Sequence, residues 1–298
     1  MSENSSSLSA YLALAAGVFM IGTSAILVKF ANLPGIVSGF YRVGIAAAAL
    51  FPFWYAKNRQ KGFPSWQGLK FILLGGVLFA LDVWVWNASI LLTTAAKSTL
   101  LANNAPIWVG LVAAFLFKEK LTPKYWSGLA LAVVGMTVIV GVDSWRASQF
   151  NLGDLMAISV SFLYAGVMLA TQKAREHVST LTFTALYTAT AALTLLPIAL
   201  FTGQQMGNFS TQTWLALLGM GLGPQVLGWL AINYALGRLK ASRVSVSLLG
   251  QPVVTAILGF LILNEALTGN QIIGGALALT GIYLVNQKSA SGKKQPAS

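Results

Sequence analysis

FKEKLT, residues Phe117 to Thr122, closes one long apolar stretch and opens the next, and LNEALT, residues Leu263 to Thr268, does the same 146 positions later. The acid recurs as Glu119 and Glu265, and Leu121-Thr122 recurs as Leu267-Thr268, while Lys118 and Lys120 give way to Asn264 and Ala266. Carried without a gap through residues 106–135, the shift also aligns Pro106 with Pro252, Gly128 with Gly274, Ala130-Leu131-Ala132 with Ala276-Leu277-Ala278, and Gly135 with Gly281. Further back it pairs Gly75 with Gly221 and Asn87 with Asn233. An internal repeat of this length decides the fold before any single element does.

The chain around the repeat is 298 residues long, 56% hydrophobic and only 9% charged, with mean hydropathy +0.72. An average soluble protein carries about 25% charged residues, so this is a membrane protein. A bilayer core of about 30 Å asks for about 20 apolar residues per helix. Helices are accordingly predicted near 10–30, 36–56, 68–90, 96–117, 122–142, 152–172, 180–201, 211–235, 242–263 and 268–286. That is an all-α integral membrane fold of ten helices. MSENSSS at the start carries Glu3 and lacks the basic region of a cleavable signal, so the first helix is read as retained.

With both termini on one side, that side collects 15 of the 19 bases, among them Lys57, Lys118, Lys120, Lys124, Lys173, Arg238, Lys240 and Lys288. The positive-inside rule makes it cytoplasmic. Each half holds five helices, an odd number, so the second half enters the membrane upside down. Inverted repeats of this kind are a plan of secondary transporters, with the site near the midplane where the repeats meet. FKEKLT then faces the cytoplasm and keeps its lysines; LNEALT faces outward and has lost them.

The retained acids have a local reading. Thr122-Pro123 reads as an N-cap with proline at the first helical position, and Thr268-x-x-Gln271 as a capping box. Glu119 and Glu265 are therefore expected as helix-start acids meeting free N–H groups, with a gate or coupling role left open beside it. Gly128, Ala132 and Gly135, with Gly274, Ala278 and Gly281, present small-residue faces for close helix packing.

Asp82 is the one carboxylate well inside a predicted helix, and such a charge usually faces a cavity or a partner. It can take a substrate ammonium group or a proton, or it can pair structurally with Arg42 or Lys29. Trp84 and Trp86 flank it and can share its space, as stacking or cation–π surfaces, or they belong to an interfacial belt. Trp108, Tyr164, Trp229 and Tyr234 are further aromatic candidates of the same kind. Amides stand beside helix breakers: Asn103-Asn104 before Pro106, Gln225 after Pro224, Gln251 before Pro252. They either repair carbonyls freed by the prolines or line the path, with Pro106, Pro224 and Pro252 as hinges of a rocking motion. Arg42 can hold a carboxylate bidentately. No cysteine is present and the single His177 lies in the charged run KAREH, so neither thiolate chemistry nor a histidine cluster is available. No metal, cofactor or nucleic-acid partner is expected, and a monomer suits the sequence without being fixed by it. An intramembrane enzyme would want a Ser-His pair, an Asp pair or H-E-x-x-H, and a channel a continuous polar lining; both fit less well than a carrier.

Two five-helix units, each with a proline inside its fourth helix and a P-x12-E-x-L-T run into a glycine-rich fifth, resemble the drug/metabolite transporter superfamily, specifically its EamA-type ten-helix exporters. The resemblance covers residues 10–287. It implies an EamA-like repeat at 10–142, its inverted copy at 152–287, and a basic cytoplasmic tail at 288–298. Overall appearance, including DVWVWN, is most similar to the YddG-type exporters of aromatic amino acids. This implies an exporter in the bacterial inner membrane, carrying aromatic or other hydrophobic amino acids outward by alternating access, without ATP hydrolysis. Another small metabolite or a lipophilic cation is the alternative cargo.

Overall fold

In hydrocarbon every backbone N–H and C=O must find its partner within the chain, and the long apolar stretches do so as helices. The computed structural model describes residues 2–60, 62–93, 95–141 and 150–287; the tail 288–298, Arg146 and Lys61 lie outside them. The spans are α1 (Ser2–Gly22, continued as Ser24–Ala31), α2 (Gly35–Asn58), α3 (Trp66–Leu92), α4a (Ala95–Ala102) with α4b (Ala105–Phe115), and α5 (Pro123–Val140). The second half gives α6 (Leu152–Arg175), α7 (Thr180–Phe201), α8 (Thr211–Met220, Gly221–Gly228 and Trp229–Leu236), α9a (Ala241–Leu248) with α9b (Gln251–Leu263), and α10 (Gly269–Asn286). Among the described residues, nine of these ten are long and apolar enough to cross a membrane. The tenth, α10, has 18 residues and opens on polar Asn270 and Gln271. The all-α, ten-helix architecture is as the sequence indicates.

The repeated turn repeats in its dihedral angles. Lys118 and Asn264 both take the left-handed conformation, at φ 52° and 53°, which stops α4b and α9b. The Glu119 N–H then donates to the Ala113 carbonyl at 2.8 Å, and the Glu265 N–H to that of Gly259 at 3.2 Å. Thr122 and Thr268 cap the next helices, accepting from the N–H of Tyr125 at 3.3 Å and of Gln271 at 3.2 Å. The two acids do not serve those helix starts. Glu119 crosses to the other repeat, accepting from the Ser242 hydroxyl at 2.9 Å and lying 3.3 Å from Lys240. Glu265 pairs with Lys29 at the end of α1, at 2.5 Å. A threonine already fills each cap, which frees the carboxylates for these other partners.

The small-residue faces meet each other. A Cβ on Gly135 would come within 2.6 Å of the Gly274 carbonyl oxygen, and one on Gly128 within 2.8 Å of that of Gly281. Gly274 and Gly281 in turn approach the Gly135 and Gly128 carbonyls as closely. Residue and partner exchange under the 146 shift, so this is an isologous contact, and the two-fold axis of the repeat runs between α5 and α10. Gly135→Ala forces two backbones apart, since the atoms it would meet are backbone atoms of Gly274 and Ala278, not a movable side chain. It is expected to cost about 1–3 kcal/mol, the range for overpacking, read as earlier thermal unfolding in detergent. Gly44→Ala, where nothing lies within 4 Å, is expected to melt like the parent.

Three departures from uniform helix position the site. α4 and α9 are not simply kinked at Pro106 and Pro252: each breaks into two segments, and each proline sits in the first turn of the second. The breaks fall at equivalent places, after Ala102 and after Leu248. In α8 the stretch Gly221–Gly228 winds as a π-helix, with Pro224 inside it. Its counterpart in the first repeat, residues 75–82, is ordinary α-helix and ends in Asp82. Glycines allow the wide turn to sit against α1 and α2, where Cβ atoms on Gly221 and Gly228 would meet Ile45 and Ile21.

Candidate functional site

Four helices supply the walls of a central cavity of about 140 Å³. α3 contributes Asp82 and Trp86, one turn apart; the α4 break contributes Thr99, Ala102 and Asn103; α6 contributes Val160 and Tyr164; α9b contributes Gln251, its first residue. A water needs about 10–15 Å³ by the same measure, so the space holds several waters or a small solute. Five of the seven predicted substrate residues are brought together here: Asp82, Trp86, Asn103, Tyr164 and Gln251. Trp84 is not with them, being 42% exposed on the outer apolar surface, because the residue between α3 neighbours 82 and 86 points to another face.

The break in α4 explains part of the wall. Pro106 offers no N–H to the Ala102 carbonyl four residues earlier, so the chain turns there. The amides of Asn103 and Asn104 donate to the carbonyls of Thr99 at 2.8 Å and Leu100 at 3.0 Å. The Asn104 amide thereby covers the Leu100 carbonyl, which its own N–H has left for that of Leu101, whereas the Thr99 carbonyl already takes the Asn103 N–H; Asn103 lines the cavity as well. Gln251 stands at the matching break of α9, with its amide against the Tyr164 hydroxyl.

Asp82 is held apart from any strong partner. Its Oδ1 is buried with no hydrogen bond among the described residues. Lys29, one of its two expected partners, is engaged by Glu265. Arg42, the other, lies within Coulomb range of Asp82, Tyr164 and Tyr187 but forms no ion pair within 4 Å, among the described residues. Its guanidinium rests over the Phe79 ring at 5.7 Å, and its Nε is buried without a partner. Arg42 is not among the residues that line the cavity.

Behind the wall is an aromatic layer that the sequence reading only partly foresaw. Tyr187 packs 5.4 Å from Phe79, 5.2 Å from Phe183 and 6.2 Å from Trp229. Trp229 meets Phe79 at 5.7 Å and Tyr164 at 6.4 Å. The Tyr187 hydroxyl is buried without a partner. Aromatic residues in apolar helices do not single out Tyr187 or Phe79 by type, yet the shift of 146 pairs Tyr187 with Tyr41 beside Arg42, and Phe79 with Gln225. Gln225 is fully buried in the π segment with both amide atoms unpartnered, and it too is outside the cavity wall. Trp108 turns to α6, donating to the Ser161 hydroxyl at 2.7 Å and stacking on Phe162 at 3.9 Å. Tyr234 lies under the Arg238 guanidinium at 3.5 Å, far along α8.

A second polar group of opposite character lies at the end of the molecule away from most bases. Lys97 at the start of α4 meets Asp154 at the start of α6 at 2.6 Å, both almost wholly buried. The signal was legible in retrospect: Asn151-x-x-Asp154 is a capping box, which the structure forms.

Comparison with known proteins agrees with the arrangement. A profile described as the EamA-like transporter family matches residues 8–141 and again 151–287. An "Uncharacterized transporter" of Archaeoglobus fulgidus is 28% identical over 84% of this chain and 86% of its own. YetK of Bacillus subtilis, named as a transporter, is 27% identical over 96% and 88%. A "Probable amino-acid metabolite efflux pump" of Salmonella typhimurium is 25% identical over 64% and 67%. One crystal structure superposes with a TM-score of 0.75 over 95% of this chain and 97% of that one, at 21% identity, which shows a shared fold. With the same profile matched once in each half, and with ten helices of which four wall a cavity, the chain belongs to the EamA-like transporter family and is a multi-pass membrane transporter.

Proposed function

We propose that this transporter exports amino acids with aromatic or other hydrophobic side chains across the bacterial inner membrane, both termini being cytoplasmic. The observation that carries the reading is Asp82, a carboxylate with an unpartnered oxygen in the wall of a central cavity. A substrate ammonium group completes it, Trp86 and Tyr164 offer rings to the side chain, and the amides of Asn103 and Gln251 face the carboxylate end. Arg42, over the Phe79 ring, balances the Asp82 charge. The breaks of α4 and α9 at Pro106 and Pro252, and the π segment around Pro224, are the places where the helices flex. Opening the basic end requires Glu119 to release Ser242 and Lys240, which tie the two repeats together there.

The name of the efflux-pump relative supports an amino acid cargo. The cavity wall itself contains an acid and no base, which favours a lipophilic cation as the second reading. Counterflow in proteoliposomes loaded with phenylalanine, tryptophan, alanine or methyl viologen separates the two. Accelerated exchange of phenylalanine and tryptophan is the expected result. Exchange of methyl viologen alone, in an active preparation, replaces the amino acid reading with the cation one.

A further inference from the structure

At the basic end, beside the α5–α10 pair, three segments converge on a second cavity, of about 260 Å³. The α4–α5 connection and the start of α5 bring Lys120 and Lys124; the α8–α9 connection brings Arg238 and Lys240; α9a brings Arg243. The first two bases belong to one repeat and the other three to the inverted one. Glu119 is the one acid in the lining, and it is already engaged by Ser242 and Lys240. Among the described residues no carboxylate pairs with the remaining four bases.

The side-chain hydrogen bonds of three of them go to neutral groups. Lys124 donates to the Gln287 side chain, Arg243 to the Tyr11 hydroxyl at 3.2 Å, and Arg238 to the Tyr234 carbonyl at 3.3 Å. An ammonium has three donors and a guanidinium five, so these bonds orient the bases without using them up. Topology alone asks only that bases lie on this side of the membrane. It does not ask that they gather from both repeats around one hollow, where like charges repel. The rest of the wall mixes Thr122, Tyr125 and Gln287 with an apolar strip of Leu121, Leu239, Leu284 and Val285 beside the last turns of α10.

We propose that this cavity binds the phosphodiester headgroup of an anionic phospholipid. The bases hold the phosphate oxygens, and an acyl chain descends along Leu239 and Leu284. A free phosphate would satisfy the charge and leave the apolar strip uncovered, whereas basic pockets between helices on the cytoplasmic side suit lipid headgroups. A lipid seated here joins the two repeats on the side where Glu119 already ties them, and therefore favours the state in which this end is closed. The assignment does not depend on the cargo.

The test is native mass spectrometry and thermal unfolding of the full chain in detergent. Phosphatidylglycerol, phosphatidylethanolamine and inorganic phosphate are each added. Phosphatidylglycerol is expected to bind and to raise the unfolding temperature, with the other two much weaker. Lys124→Gln/Arg238→Gln removes two contacting charges, and at about 1 kcal/mol per base the binding is expected to fall about thirtyfold. Lys57→Gln/Lys70→Gln removes the same charge from exposed positions at the same end and is expected to change little. Of the four bases outside the Glu119 tie, all but Arg243 are exposed, so Lys120→Gln serves as a milder variant should the double one unfold. Equal loss in the Lys57/Lys70 control, equal binding of phosphatidylethanolamine, or an equal effect of inorganic phosphate each overturns the lipid site. None of these outcomes bears on the counterflow result.

Discussion

Asp154→Asn is expected to destabilise the protein by about 3–5 kcal/mol, the range for breaking a buried ion pair from one side. The carboxylate of Asp154 has no idle oxygen: Oδ1 accepts from the Thr93 hydroxyl at 2.8 Å, and Oδ2 from the Lys97 ammonium at 2.6 Å and the Asn151 N–H at 2.9 Å. The substitution removes charge from a site where Lys97 is 2% exposed and leaves that ammonium buried beside a neutral amide. It also weakens the capping box that starts α6. Lys97→Met is expected to act similarly, by stranding the carboxylate. The double variant Lys97→Met/Asp154→Leu is expected to recover most of the loss, because a hydrophobic replacement of a buried pair is often neutral. Unfolding in detergent, by heat or denaturant, reads all three. A single variant as stable as the parent would show the pair to be dispensable.

Asp82→Asn is expected to leave folding intact and to lower amino acid exchange about ten- to hundredfold. A hydrogen bond to a charged group is worth about 1.5–3 kcal/mol, and each 1.4 kcal/mol is a factor of ten. No ion pair is lost in this case, since Arg42 stands beyond ion-pair distance among the described residues. That is the contrast with Asp154: one acid is fully satisfied and structural, the other is held open. Initial rates of counterflow, compared at equal amounts of folded protein, decide the matter. Unchanged rates and unchanged dependence on pH in the Asn variant would remove Asp82 from the substrate site.

The fold was legible because its information is carried by periodic, redundant features: ten apolar lengths, bases on one side, and a turn written twice. The glycine faces were legible for the same reason, since a spacing repeated at 128, 132, 135 and at 274, 278, 281 has few uses other than close packing. The site was legible where a residue type is out of place in its surroundings, as with Asp82 inside an apolar helix or amides beside prolines. It was not legible where the deciding fact is the direction of a side chain. Trp84 and Trp86 differ by half a turn, and only one faces the cavity. Arg42 and Gln225 are as much out of place in apolar helices as Asp82, yet neither lines the cavity. Glu119 and Glu265 looked like capping acids because the caps stand three residues away, and their partners lie more than a hundred residues off in sequence. The π segment is written in Gly221, Gly223 and Pro224, a pattern that equally suits an ordinary kink.

The exchange symmetry of the α5–α10 contact has a consequence for how such a molecule can be made. A surface on which Gly128 meets Gly281, and Gly274 meets Gly135, is self-complementary: a lone five-helix unit can form it with a second copy inserted the opposite way up. Joining the units in one chain removes the dependence on concentration, while Lys118 and Lys120 against Asn264 and Ala266 make the two copies of the turn differ in charge. Gene duplication, seen this way, needed no new interface.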